Sequence, residues 1–413
     1  MAQINLTLSQ EEILQVLSGN RDEALKFLVE RILNEVMKAE SEEQIGASRH
    51  ERSDDRQDYR NGTRERELNT RIGTLTLKVP RHRNQPFHTM VFENYKRSEA
   101  SLIATMVEMV IAGVSTRKVS RVVETLCGTS FSKSTVSELC KALDKDITEF
   151  KTSSLEAVEA PFLMIDATYF KAREDHKVVS KAFLVALAIK NDGEREVVGF
   201  DVFDGEDTYS WQTFLSNLKE RGLHSVKMII SDAHKAIRKS IAKVFPDAAW
   251  QRCQVHLVRN ILDATPKSYQ KGLQTELREL FTATDYVSAH KRKEEIIADY
   301  SDVAERAMDI LEEGFEDAMT VMVLPAYIRI KLRSSNLLER LNRELKRRSE
   351  VIGVFPNATS ILRLMGTVTL EYSDSISYGN RMFAPSRFDE MNEQITREFI
   401  AIAQKQVQLL EAA

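Results

Sequence analysis

The sequence of 413 residues lacks long hydrophobic runs, and this absence excludes one class of protein. Its longest apolar run, from Ala182 to Ile189, is far shorter than the roughly 20 residues that a membrane-spanning helix needs. The start of the chain also lacks the pattern of a secretory signal peptide. We therefore expect a cytoplasmic protein that has no membrane partner.

Cysteine is also scarce, with Cys127, Cys140 and Cys253 widely separated in the chain. Three such residues cannot form a disulfide framework or, by themselves, a structural zinc finger. An excess of one charge is missing as well, since the net charge is only −4. A nucleic-acid-binding protein can confine its basic residues to one face, so the net charge does not exclude nucleic acid as a partner. Clusters of basic residues along the chain are the more informative feature.

The length predicts two or three domains at about 150 residues each. Changes in periodicity and charge divide the chain into seven segments. These are an N-terminal helical module (1–45), a basic extended segment (46–100), a helix-turn-helix-like DNA-binding domain (101–155), an α/β core (156–255), a helical insertion (256–330), the final part of the core with a catalytic helix (331–375) and a C-terminal helical tail (376–413). In the basic segment, the alternation of Leu75, Leu77 and Val79 predicts one short strand.

Two amphipathic segments in the third region, Ser115–Leu126 and Ser134–Ile147, flank a turn-prone stretch, as in a helix-turn-helix. Polar residues near the start of the second segment could contact DNA: Lys133, Ser134, Thr135 and Lys141. An ordinary helical hairpin packed on the core fits the same pattern. DNA binding here is therefore a hypothesis.

Three strands, Phe162–Ile165, Lys181–Ile189 and Glu196–Phe203, open the α/β region, and alternating helices and strands follow. This order is typical of a ribonuclease-H-like core. We therefore predict such a core, preceded by helical DNA-binding domains and interrupted by an all-α insertion.

Two carboxylates each follow an apolar run of this core: Asp166 after Ile165 and Asp232 after Ser231. Ligands of open α/β sheets gather at the carboxyl ends of the strands, so these two acids should meet at one edge. Cleavage of a phosphodiester by two metals needs convergent carboxylates of this kind. Each aspartate alone also fits a residue that opens a turn.

The third acid should come from the helix predicted over Asn336–Arg348, which offers Glu339 and Glu344. At roughly 100° per residue, Leu337, Leu341 and Leu345 form one stripe, and Glu339 lies opposite it with Asn342, whereas Glu344 flanks the stripe. Glu339 is therefore the better candidate, although Asn336 and Glu339 also fit a capping box. The basic residues of this helix are candidates for DNA-phosphate contacts: Arg340, Arg343, Lys346, Arg347 and Arg348.

Cys253 and His256 form a pair that could suggest zinc, but without two further ligands a buried thiol and a hydrogen-bonded histidine fit as well. Together with His234, which follows Asp232 closely, they are candidates to support the acids. Trp211 and Trp250 fit core positions better than base-stacking platforms.

At these residues the sequence closely resembles bacterial insertion-sequence transposases related to the plant mutator elements, a branch of the DDE transposases. The resemblance spans roughly residues 50 to 375. The matching pieces are Tyr59-Arg-Asn-Gly62, Val79-Pro-Arg81, Asp166-Ala-Thr-Tyr169, Ser231-Asp-Ala-His234, Cys253-Gln-Val-His256, Ser335-Asn-Leu-Leu-Glu-Arg-Leu-Asn342, Lys346-Arg-Arg348 and Gly353-Val-Phe-Pro-Asn357.

The resemblance implies a nucleoid-associated bacterial enzyme that binds terminal inverted repeats and target DNA and catalyses strand cleavage and strand transfer. It assigns Asp166, Asp232 and Glu339 as the catalytic acids, which hold two Mg²⁺ or Mn²⁺ ions. Because two element ends must be brought together, we expect a homodimer on DNA. Two other functions remain open: a non-catalytic DNA-binding protein derived from a transposase, and a ribonuclease-H-like nuclease.

Overall fold

The computed structural model describes residues 10, 21–48, 51, 56–70, 72–89, 91–92, 100–127, 131–377, 379, 381–384 and 393–412. They belong to two compact units, Met1–Lys141 and Ala142–Ala413. Most of residues 1 to 20 of the predicted N-terminal helical module and residues 385 to 392 of the predicted C-terminal helical tail lie outside the described residues. No helix in the described ranges combines the length and apolar character needed to cross a membrane.

In the first unit, helix α1 (Arg21–Ile45) packs on an antiparallel hairpin of β1 (Arg60–Thr70) and β2 (Gly73–His82). The strand predicted through Leu75, Leu77 and Val79 is confirmed as β2, whereas its partner β1 was not predicted. The sequence of β1 is almost wholly polar and shows no apolar alternation, so its pairing with β2, rather than its own pattern, makes it a strand.

Three short helices follow in the same unit and share a small apolar core, which includes Met106, Val119 and Val136. They are α2 (Ala100–Ile111), α3 (Thr116–Cys127) and α4 (Lys133–Leu139). Ser132 caps α4, since its hydroxyl accepts a hydrogen bond from the amide of Thr135.

The continuous helix predicted over Ser134–Ile147 was wrong. Helix α4 gives way to a 3₁₀ turn, Cys140–Leu143, and a separate helix, α5 (Asp144–Thr152), begins in the second unit. The apolar periodicity continues through the turn, which explains why it looked like one helix in the sequence.

The second unit contains a mixed five-stranded sheet in the order β5-β4-β3-β6-β7. Its strands are β3 (Phe162–Glu174), β4 (Lys177–Ile189), β5 (Arg195–Phe203), β6 (Met228–Ser231) and β7 (Ala249–Arg252). Strands β3, β4 and β5 pair antiparallel, whereas β6 pairs parallel with β3 and β7 pairs parallel with β6. This mixed α/β architecture is compatible with a ribonuclease-H-like core.

Strand β3 is much longer than the predicted Phe162–Ile165, so Asp166 lies within the strand and not at its end. The predicted part is buried on both faces, whereas the continuation alternates, with Phe170 and Ala172 buried and their neighbours exposed. An unbroken apolar run predicts only the part of a strand that is buried on both faces. It misses the second part of β3, which is buried on one face.

Helices cover the sheet and fix its position. Helices α6 (Thr208–Glu220) and α7 (Lys235–Val244) contribute to a core that buries Trp211 and Trp250, which confirms both tryptophans as core residues.

Four helices lie between β7 and the helix that carries Glu339. They are α8 (Gln254–Asp263), α9 (Lys267–Phe281), α10 (Tyr286–Ala318) and α11 (Ala326–Leu332). Most of their buried side chains form a separate core that includes Leu257, Leu277 and Phe315. Helix α12 (Asn336–Glu350) then returns to the sheet, followed by α13 (Ala358–Ser377) and α14 (Glu393–Ala412).

Candidate active site

The strand register brings Asp166 and Asp232 to the same level of the sheet. In the parallel pair of β3 and β6, Met164 lies opposite Ile230, and each aspartate is two residues further along its chain. Because β6 ends at Ser231, Asp232 leaves the sheet beside the middle of β3. The predicted meeting of these two acids therefore follows from their register, although Asp166 is not at a strand end.

Asp166 carries the clearest electrostatic signature of the site. Its carboxylate is half-buried, and burial raises its pKa to about 6, against the hydrogen bond from the Ala167 amide. The negative charge of Asp232 contributes to the same rise. A buried carboxylate beside a second negative charge forms a place that favours a cation.

Each aspartate is also held by a neighbouring group. The side-chain amide of Asn342, on α12, donates a hydrogen bond of 2.9 Å to Oδ2 of Asp166. The backbone amide of His234 donates one of 3.2 Å to Oδ1 of Asp232. His234 therefore supports Asp232 through its backbone, and Asn342 joins α12 directly to β3.

Glu339 points toward this site from the first turn of α12. Its Oε1 atom lies 3.6 Å from Nε2 of His256 and 3.9 Å from a guanidinium nitrogen of Arg259. The same oxygen is buried without a hydrogen-bond partner among the described residues. The capping-box alternative is wrong, because Ser335 occupies the N-cap position, no side chain caps the helix, and Asn336 is already helical.

Glu344 is engaged elsewhere. It forms ion pairs of 2.6 Å with Arg347 and 2.7 Å with Arg348 on its own helix. The hydrogen bond from Arg347, assisted by Arg348, lowers the pKa of Glu344 to about 2. The buried stripe of α12 consists of Leu338, Leu341 and Leu345. It differs from the predicted stripe in one residue, because Leu338 is buried in place of Leu337.

Cys253 connects the elements that carry the acids. Its backbone amide bonds to the carbonyl of Ser231 at 2.8 Å, and its buried sulfur accepts hydrogen bonds of 3.4 Å from the amide and hydroxyl of Ser335. The end of β6, the start of α8 and the start of α12 thus meet at this thiol.

His256 provides positive charge among the carboxylates. Its pKa is raised to about 9, mainly by its contact with Cys253 and to a smaller extent by the negative charges of Asp166 and Asp232. A protonated His256 is therefore suited to attract Glu339, whose carboxylate lies beside it. Within the described ranges, no group of three histidine, cysteine or acidic side chains is arranged to hold a metal ion.

Glu206 is a further carboxylate of this site that the sequence analysis missed. It is half-buried, contacts the side chain of Tyr169, and its pKa is raised by burial and by the charge of Asp232. An acid just before a helix usually serves as a cap. Here Asp207 is the cap, because its carboxylate accepts a hydrogen bond of 2.7 Å from the amide of Ser210. A second acid directly before the capping residue is therefore the sequence feature that could have indicated a functional role for Glu206.

The predicted DNA-contact residues fall into two sets. In the first unit, Lys133, Ser134, Thr135 and Lys141 are all exposed, and Lys141 pairs with Glu138 at 2.8 Å. On α12, Arg340, Arg343 and Lys346 are exposed, whereas Arg347 and Arg348 are bound to Glu344.

Comparison with known proteins finds one family and several of its members, which match most of this chain. A family model described as "Transposase, Mutator family" matches residues 1–379. The chain is 42% identical over 386 residues to the transposase for insertion sequence element IS256 in transposon Tn4001 of Staphylococcus aureus, covering 93% of this chain and 99% of that protein. It is 39% identical over 366 residues to the transposase for ISRM5 of Rhizobium meliloti (89% and 92% covered). It is 34% identical over 382 residues to the transposase for IS1081 of Mycobacterium tuberculosis (92% and 92% covered).

Proposed function

The chain belongs to the Mutator family of transposases, and we propose that it cleaves DNA at the terminal inverted repeats of an insertion sequence and joins those ends to target DNA. In this proposal it is a DDE enzyme whose acids are Asp166, Asp232 and Glu339. Its substrate is DNA, so we expect it to act at the bacterial nucleoid.

The matched register of Asp166 and Asp232 carries the proposal. Two features of the surrounding residues fit a divalent cation. The pKa of Asp166 is raised by burial and by the charge of Asp232, and Glu339 has a buried oxygen without a hydrogen bond. Two bound Mg²⁺ or Mn²⁺ ions supply charge stabilisation for phosphodiester cleavage in sites of this type.

The chain's own residues would prepare the acids for this role. Asn342 and the amide of His234 each fix one oxygen of an aspartate, so the remaining lone pairs keep a defined direction. His256 and Arg259 hold Glu339 near the pair by charge without hydrogen-bonding to its Oε1 atom. Glu339 is therefore free to exchange these weak contacts for a stronger one.

The test is a joining assay with labelled element ends, target plasmid and Mg²⁺ or Mn²⁺. We expect covalently joined products that depend on the divalent ion. Cleavage without joined product would instead indicate a ribonuclease-H-like nuclease, and binding without cleavage would indicate a DNA-binding protein derived from a transposase.

We further propose that the active species is a homodimer assembled on DNA. One chain carries one acidic site, whereas transposition handles two element ends, and two-fold symmetry is the commonest solution for self-association. Light scattering of the protein–DNA complex should give the mass of two chains. A fully active complex with one chain would contradict this part of the proposal and leave the acids' assignment intact.

A further inference from the structure

A groove lies between helices α8 and α9 of the helical insertion, and we call it the α8/α9 groove. It consists of two adjoining cavities of about 490 and 570 Å³, which share Val255, Val258 and Gln274 in their linings. The floor therefore includes apolar side chains from α8, while α9 supplies most of the opposite wall.

The lining of this groove is strongly basic. Five cations line it, Arg259, Lys267, Lys271, Arg278 and Arg333, against one acid, Asp263. Lys267, Lys271 and Arg278 are exposed, and within the described ranges none of the three has a carboxylate partner. The lining thus carries positive charge that is not neutralised inside the unit.

The charges of α9 are sorted between two faces. Glu276 and Glu279 face α10, where Arg292 pairs with them at 3.6 and 2.9 Å. The basic residues of the same helix face the groove instead. A helix exposed only to solvent has no reason to separate its charges in this way, so the basic face fits a polyanion.

The groove is continuous with the candidate active site. Arg259, in its lining, lies 3.9 Å from the Glu339 carboxylate, and the amide of Gln254 bonds to the carbonyl of Arg333 at 3.0 Å just before α12 begins. From Lys267 to Arg278 the helix rises about 16 Å at 1.5 Å per residue. The exposed cations are therefore spread along one side of the groove, over a length that several phosphates of an extended strand can follow.

We propose that the α8/α9 groove binds a single strand of DNA where it runs away from the catalytic acids, a proposal that rests on the transposase function above. The phosphates would lie along the cations, and sugars and bases would cover Val255 and Val258. Single-strand binding typically combines a basic groove with aromatic side chains on which unpaired bases stack, and Phe281 provides such a side chain in this lining.

The test uses the full chain in the Asp232→Asn background, so that binding is measured without cleavage. The groove variant combines Lys267→Gln, Lys271→Gln and Arg278→Gln. The matched control combines Lys145→Gln, Lys291→Gln and Arg306→Gln, which remove the same charge from exposed positions outside the groove. The probes are an element end with a single-stranded extension of about ten nucleotides past the cleavage position and the same end as a blunt duplex.

We expect the parent to bind the extended probe more tightly than the blunt one. In the groove variant, the ratio of these two affinities should fall at least tenfold. Each phosphate contact contributes about 0.7 to the salt slope for single strands, so the loss of three contacts should lower the slope by about 2. The control should keep both the gain and the slope. An unchanged gain in the groove variant, or an equal loss in the control, would overturn the proposal.

The joining assay separates this proposal from the function on which it rests. If the wild type joins DNA and the groove variant keeps its preference for the extended probe, the groove proposal alone fails. If the wild type never joins DNA, the proposed function fails, whereas a preference that depends on Lys267, Lys271 and Arg278 would still assign the groove to a single strand.

Discussion

The neighbouring strands β3 and β6, which position Asp166 and Asp232, and the helix that carries Glu339 contribute to the candidate site by different means. The aspartates are positioned by strand register within a buried sheet, which a one-residue slip would disrupt completely. Glu339 is positioned by contacts between distant parts of the chain, of which the thiol of Cys253 and the amide of Asn342 are the clearest. We therefore expect Asp166 and Asp232 to be fixed in position, whereas the position of Glu339 can change when these contacts change.

The largest effects should come from the fixed pair. We expect Asp166→Asn and Asp232→Asn each to lower cleavage by about 1000-fold or more, since a metal contributes several kcal/mol and 1.36 kcal/mol is tenfold. Binding to inverted repeats, measured by mobility shift, should remain. Asp247→Asn, an exposed aspartate of the same unit, is the control and should cleave normally. Normal cleavage by either site variant would remove that acid from the site.

The two glutamates of α12 sharpen the comparison. Glu339→Gln should lower cleavage by about 100-fold or more, because a neutral amide is a poor metal ligand. Glu344→Gln should change it less than about threefold, since this carboxylate is bound to Arg347 and Arg348 and exposed ion pairs contribute little. Single-turnover cleavage of a labelled end measures both. The reverse ranking would show that the helix presents another face to DNA.

Sequence patterns predicted the site to different extents in these two regions. Asp166 and Asp232 became candidates because apolar runs precede them, and Glu339 because helical geometry separates it from the leucines. Glu206 was missed because its position depends on the end of β5 and the start of α6, which no periodicity encodes. Strand β1 was missed for a related reason, since backbone pairing rather than side-chain pattern creates it.

A substitution of Glu206 tests whether this carboxylate acts together with Asp166 and Asp232. We expect Glu206→Gln to reduce cleavage by about 10- to 100-fold, the usual cost of losing a residue that tunes a metal site. The Mg²⁺ concentration needed for half-maximal cleavage should rise at the same time, which a purely structural role of Glu206 would not cause. Glu220→Gln, at the other end of α6, is the matched control. An unchanged Mg²⁺ requirement would leave Glu206 as a structural acid.

The smallest effect should come from the link between the two regions. Asn342→Ala removes the 2.9 Å hydrogen bond by which α12 holds Asp166. A hydrogen bond to a charged group is worth about 1.5 kcal/mol at the low end of its range, so cleavage should fall about 10- to 15-fold, mainly at limiting Mg²⁺, where the direction of the carboxylate matters most. Saturating Mg²⁺ should recover part of the loss, because the ions can then orient Asp166 themselves. Ser349→Ala, in the last turn of the same helix, should leave the Mg²⁺ dependence unchanged. If Asn342→Ala were as inactive as Asp166→Asn at every Mg²⁺ concentration, Asn342 would be part of the fixed group, and α12 would be as firmly placed as the strands.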